Sequence, residues 1–232
     1  MTSYQKRAEP NRFLGCVNDT ISEYEAIVVL AAAFIVVYIV GTFRNRRLLV
    51  KYSQITKKHL GPSSEFLGFR PFGSSGFRAL CNIRSEKPLS KMEVAVSLVD
   101  RENVMHYPLS WITKEKDKVT VWAYPRKRPV FSLGIWSTKE KNLRPQSELE
   151  LKEIKTDQEN LGTFRILSSD DTKADEFLSD KNLLSSLPRA KDFLHSLLVD
   201  KNESRIILTG RLTDDSLPAL LDLVMASASR AS

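Results

Sequence analysis

The 232-residue chain is 42% hydrophobic and 27% charged, with a formal net charge of +7. That balance excludes both a disordered polyelectrolyte and a bundle of membrane spans. With one apolar segment and its flanks set aside, about 170 residues remain, the size of one domain with its own core. The charge is uneven: residues 1–25 hold 3 basic and 4 acidic side chains, residues 44–147 hold 21 and 8 (+13), and residues 148–232 hold 11 and 16 (−5). A basic surplus in the middle segment suits anionic lipid headgroups or RNA phosphates, and it equally serves solubility and topology.

Residues 1–25 read as a short extracytoplasmic tail. It carries the sequon Asn18-Asp19-Thr20, so Asn18 is a possible glycosylation site. The run AIVVLAAAFIVVYIVGTF, Ala26 to Phe43, has 18 residues without a charge. As a helix it rises about 27 Å against a hydrocarbon core of about 30 Å, which predicts a transmembrane helix over 26–43. Glu23 and Glu25 precede it where a signal peptide has lysines, and no small-x-small cleavage site follows, so the segment reads as an uncleaved anchor. Arg44, Arg46, Arg47, Lys51, Lys57 and Lys58 follow the run, whereas Arg12 is the nearest cation before it. The carboxyl side is therefore expected in the cytoplasm and the amino terminus outside, at the endoplasmic reticulum in a eukaryote or the plasma membrane in a prokaryote. Cys16 and Cys81 then lie on opposite sides, and no internal disulfide is expected.

Residues 44–60 read as a basic juxtamembrane helix with Leu48, Tyr52 and Ile55 on one face, stopped by Gly61 and Pro62. It can lie at the headgroups, reach a partner, or serve only as a topology signal. The turn-rich stretch GPSSEFLGFRPFGSSG, 61–76, reads as a linker into a cytoplasmic domain over 77–228. Alternation predicts strands over Phe77–Ile83, Met92–Leu98, Tyr107–Trp111, Lys118–Tyr124 and Val130–Trp136, an antiparallel meander. Strands are also expected at Glu148–Ile154 and Thr163–Leu167. A helix should start at Asp170–Thr172, another at Pro188 with Phe193, Leu194, Leu197 and Leu198 buried, then a strand at Arg205–Leu208 and a last helix capped by Thr213 or Asp214. The fold class is α+β, one amino-terminal transmembrane helix followed by an antiparallel sheet with carboxyl-terminal helices.

Motifs for catalysis are sparse. His59, His106 and His195 lack metal-ligand spacing, Gly73-Ser74-Ser75-Gly76 falls one residue short of G-x-S-x-G, and no phosphate-binding glycine loop occurs. SSDDTKADE lacks the calcium-loop spacing, and helix capping accounts for Asp170 and Asp171. No catalytic residue, metal, cofactor or small-molecule substrate is expected. The most suggestive local feature is PRKRP, residues 125–129, read as a hairpin tip projecting Arg126, Lys127 and Arg128 together. Those three and the six cations after the span are the candidate phosphate or lipid-headgroup ligands, with solvation as the competing explanation.

The segment FLSDKNLLSSLPRAKDFLHSLLVDKNESRIILTG, Phe177 to Gly210, and the strand KDKVTVWAY, Lys116 to Tyr124, resemble the calumin family of endoplasmic-reticulum membrane proteins. The first looks like that family's two short helices leading to a strand. The resemblance implies one span, a cytoplasmic α+β domain and a place beside the protein translocation channel. The long acidic lumenal region and basic coiled-coil tail of those proteins have no counterpart in this chain. The expected function is a non-enzymatic single-span adaptor or chaperone-like subunit. Its basic domain would dock on the translocation or insertion machinery, another membrane assembly or the ribosome. The alternative is a membrane-anchored sensor or anionic-lipid-binding module.

Overall fold

The computed structural model describes residues 12–139, 151–154 and 162–230, with side chains from Ser22 onward except those of Pro108, Leu109 and Trp111. The side chains of Cys16 and Asn18 and residues 148–150 of the expected strand at 148–154 lie outside these residues, while Lys152–Ile154 is a strand as expected. The first element, α1 (Arg12–Leu60), is one uninterrupted helix of 49 residues. Its apolar window has a mean hydropathy of 2.7 and is 6% buried, and it is the one helix among the described residues long and apolar enough to cross a membrane. Beyond Phe43 a helical period appears. Asn45, Tyr52, Thr56 and Leu60 are buried, with Leu48, Leu49 and Ile55 packed beside them. Arg44, Arg46, Arg47, Lys51, Lys57 and Lys58 face solvent. Residues 44–60 are thus part of the domain's core and continuous with the apolar helix.

A nine-stranded, wholly antiparallel sheet follows, in the order β1-β2-β3-β4-β9-β8-β5-β7-β6. Its strands are β1 (Ser64–Phe72), β2 (Gly76–Ile83), β3 (Leu89–Ser97), β4 (Lys118–Pro125), β5 (Leu133–Ser137), β6 (Lys152–Ile154), β7 (Phe164–Ser168), β8 (Leu194–Asp200) and β9 (Arg205–Arg211). One face carries Phe77, Ala79, Cys81, Met92, Val94, Val119, Val121, Leu197 and Leu208 into the core. Helices α1, α3 (Asp171–Leu178), α4 (Lys181–Ala190) and α5 (Ser216–Ala228) form the apolar layer there, α5 over β4 and β9 and α1 over β1 and β2. The opposite face is half exposed and carries Arg78 over Trp122 and Lys91 over Tyr124, each 5.4 Å from the ring centroid. Burial pushes the Cys81 thiol up, which leaves it an inert core residue.

Four expectations are corrected. Residues 61–76 are no linker: a 3-10 turn at Gly61–Ser63 leads into β1, so the sheet begins before residue 77. The turn-rich composition misled because β1 is an edge strand, where Pro71 costs no ladder bond. Tyr107–Trp111 is not a strand but helix α2 (His106–Thr113). Asn103 Oδ1 accepts from the Met105 and His106 N–H groups, and Pro108 falls in the first turn, where its missing N–H is harmless.

Pro188 does not open a helix. Asp180 Oδ1 accepts from the N–H groups of Asn182 and Leu183 and starts α4 earlier, leaving Pro188 in its last turns. Leu194, Leu197 and Leu198 belong to β8, whose register shifts between Leu194 and Ser196; that bulge breaks the alternation and gives strand residues a helix-like spacing. Finally, β4 and β5 are not neighbours, so PRKRP is a crossover rather than a hairpin tip.

Candidate functional site

The polar core of the molecule lies where α1 leaves its apolar segment. Gly41 is pressed against the β3–α2 loop so closely that a Cβ there would sit 2.2 Å from the Arg101 carbonyl oxygen. One residue on, Thr42 Oγ1 donates to Glu102 Oε2 at 3.0 Å, and Ser74 Oγ in the β1–β2 turn donates to the other oxygen of Glu102. Asn45 is fully buried; its Nδ2 donates to Val99 O at 3.2 Å and its Oδ1 accepts from Arg101 Nη1 at 2.9 Å. Arg101 Nη2 donates to both oxygens of Asp117, at 3.0 and 2.8 Å, and Asp117 also accepts from Val99 N–H at 2.8 Å. With side chains only 13% and 12% exposed, Arg101 and Asp117 form a desolvated, fully bonded pair. Higher up, Lys51 pairs with Asp214 and His59 Nε2 meets Asp222 Oδ1 at 2.8 Å, which ties α1 to α5 and its approach.

Asp117 is flanked by two lysines that open into a basic cleft of about 780 Å³. Lys114, Lys116, Lys118, Lys139, Lys191 and Arg211 line it, against two carboxylates, Glu115 and Asp192. Lys139 Nζ lies 3.6 Å from Asp192 and His106 Nε2 lies 3.5 Å from Glu115. The Arg211 guanidinium stacks over Phe193 at 5.2 Å, and its Nε is buried without a hydrogen-bond partner among the described residues. The cleft sits at one end of the sheet, where the register aligns Gly76 with Ser97, Ser97 with Lys118, Lys118 with Arg211, and Gly210 with Leu194. Met105 (81% exposed) and Ile112 (79%) flank it as bare apolar side chains on and beside α2. No grouping of metal-ligating side chains occurs among the described residues.

The structure disperses the cations singled out from the sequence. Arg44, Arg46 and Arg47 surround the exit of the apolar segment, whereas Lys57 and Lys58 are near the far end of α1. PRKRP lies at the end of the sheet opposite the cleft. There Arg126 donates to Ile83 O at 2.9 Å and Lys87 O at 3.2 Å, while Arg128 Nε donates to Ser204 Oγ at 3.0 Å in the β8–β9 turn. Two of its three cations thus fasten different turns. The cleft lysines escaped the sequence reading because acidic residues alternate with them in KEKDK, residues 114–118, and strand pairing brings Lys139, Lys191 and Arg211 beside them from distant segments.

No protein-family profile matches the chain, and no curated protein matches it. Among solved structures, the crystal structure of the mycobacterial trehalose monomycolate transport factor A, TtfA, aligns with a TM-score of 0.41 at 12% identity, over 66% of this chain and 71% of that chain. That likeness is too slight to bear on function.

Proposed function

We propose that this protein is a non-enzymatic single-span membrane adaptor: α1 crosses the bilayer with its amino terminus outside, and the basic domain docks on a membrane assembly from the cytoplasmic side. The observation that carries this reading is the clamp of Asn45, Arg101 and Asp117. A tethered enzyme needs only a loose linker, whereas here the apolar helix runs without a break into the domain core and is bonded to it directly below its last apolar residues. Helix and domain turn together, which suits a part that must present one surface at a fixed height and orientation. Orientation follows from the cations after Phe43. Lys57, Lys58 and Lys127, exposed at the end of the domain away from the apolar helix, are placed to meet a cytosolic acidic or RNA partner. The calumin resemblance of Phe177–Gly210 supports the translocation channel or its ribosome as that assembly, although the segment folds as α4 followed by the β8–β9 hairpin.

The test is affinity purification of the full chain from native membranes in mild detergent. Recovery together with membrane-protein or ribosomal subunits is expected, and recovery of the chain alone counts against an adaptor. A second reading, an anionic-lipid-binding module, is favoured by one observation, the basic cleft beside the clamp.

A further inference from the structure

We propose that the cleft lined by Lys114, Lys116, Lys118, Lys139, Lys191 and Arg211 binds the headgroups of anionic lipids from the same bilayer that holds α1. This rests on reading α1 as the membrane span. Depth is the first support. Phe43 ends the apolar run, and Asn45 lies about 3 Å further along the helix axis, inside a headgroup layer that extends about 5–8 Å beyond the hydrocarbon on each side. Asn45 contacts Arg101, and Arg101 contacts Asp117. Lys116 and Lys118 are the immediate neighbours of Asp117, so the cleft is covalently and geometrically tied to the level of the headgroups.

Charge is the second support, because six cations against two carboxylates in one concavity make a site for phosphate diesters. Partnering is the third. Arg211 holds its guanidinium plane on Phe193, and its Nε is buried without a hydrogen-bond partner among the described residues, a donor open to an added acceptor. Met105 and Ile112, bare beside the cleft, match the apolar side of the same boundary. PRKRP is excluded by the same geometry: β4 rises about 24 Å from Lys118 to Pro125, beyond the screening length of about 8–10 Å.

The test uses the full chain in vesicles of phosphatidylcholine mixed with an equal amount of phosphatidylglycerol. A photoreactive benzoylphenylalanine replaces Val36, Ile112 or Lys127 in turn, and one lipid is radiolabelled at a time. Val36, in the apolar run, should capture both lipids alike. Ile112 should capture phosphatidylglycerol several-fold over phosphatidylcholine, and Lys127 neither. The triple variant Lys114→Gln, Lys116→Gln, Lys118→Gln should bring the Ile112 preference down to near parity between the two lipids, with thermal unfolding unchanged because all three side chains are exposed. Arg44→Gln, Arg46→Gln, Arg47→Gln should leave most of the preference in place.

Equal capture of both lipids at Ile112, or a preference that survives the lysine triple, overturns the cleft assignment while the span stands. A preference lost equally with the arginine triple shows diffuse attraction and overturns it as well. Glycerol phosphate, added in solution, should not compete; if it abolishes capture, the site takes a soluble phosphate and the lipid assignment falls. No capture at Val36 overturns the membrane reading and the cleft proposal together.

Discussion

Asn45 and Arg101 are 56 positions apart in sequence, yet Asn45 Oδ1 accepts from Arg101 Nη1 at 2.9 Å inside the protein. Removing Arg101 takes the donor from the buried Asn45 Oδ1 and leaves the Asp117 carboxylate with only the Val99 N–H against its charge. Arg101→Ala should therefore destabilise the domain by about 3 kcal/mol, and Asn45→Ala by about 1–3 kcal/mol. Because they share one network, the double variant should cost at least about 0.5 kcal/mol less than the sum. Denaturant unfolding of the detergent-solubilised chain, followed by tryptophan fluorescence, measures all three. Strict additivity would show that the pair does not act as a clamp.

Gly41 makes an opposite kind of demand. In a free helix Gly→Ala gains about 1 kcal/mol, but here the new methyl would meet the Arg101 carbonyl oxygen at 2.2 Å. Gly41→Leu should push the loop away and open the Thr42–Glu102 hydrogen bond. In amide hydrogen exchange, residues 101–103 should exchange far faster in the leucine variant than in the parent. Equal rates would mean that the loop yields without leaving the helix.

The crossover cations should separate by variant. Arg126→Ser removes donors to the carbonyls of Ile83 and Lys87 and should cost on the order of 1 kcal/mol. Lys127→Ser, fully at the surface, should stay within about 0.5 kcal/mol. Thermal melts of the two variants side by side decide it, and equal melting temperatures would refute a fastening role for Arg126.

Asp180 gives a pH signature. Burial pushes its carboxyl up, but the hydrogen bonds from Leu183 N–H, Arg230 and Asn182 N–H together outweigh that and hold it below its ordinary value. A depressed folded pKa contributes stability that is fully present above the unfolded value of about 3.9 and is lost as pH falls through the folded value. Asp180→Ala should cost about 1–2 kcal/mol at neutral pH, and the gap to the parent should close as pH drops below about 4. A gap that stays constant down to pH 3 would assign the loss to packing.

The sheet was legible in the sequence wherever alternation was unbroken. Phe77–Ile83, Met92–Leu98 and Lys118–Tyr124 each bury the residues that their period of two predicts. It was hidden where a local device broke the period: the bulge at the start of β8, the Asn103 side-chain turn ahead of α2, and the edge position that tolerates Pro71. The helix cap at Asp170 was readable because it depends on residues within one turn, its carboxylate accepting from Lys173 N–H at 3.2 Å. The last helix, expected to be capped by Thr213 or Asp214, starts instead from Asp215 without a side-chain cap bond; Thr213 exchanges hydrogen bonds with Ser216 beside it, and Asp214 pairs with Lys51. The cleft was not readable, because its cations come from four separated segments joined only by strand pairing.

The strand order also sets a schedule for biosynthesis. β1 through β4 pair in succession and can zip as they leave the ribosome, but β4's second neighbour is β9, made about eighty residues later. Until then β4 presents a long row of unpaired amides and carbonyls, with Val119, Val121 and Ala123 still waiting for α5. At elongation rates of about 5–20 residues per second, that edge stays open for roughly 4–16 seconds. During those seconds the nascent chain is a template for strand pairing with its neighbours, which makes the interval between β4 and β9 the point in its life at which a chaperone matters most.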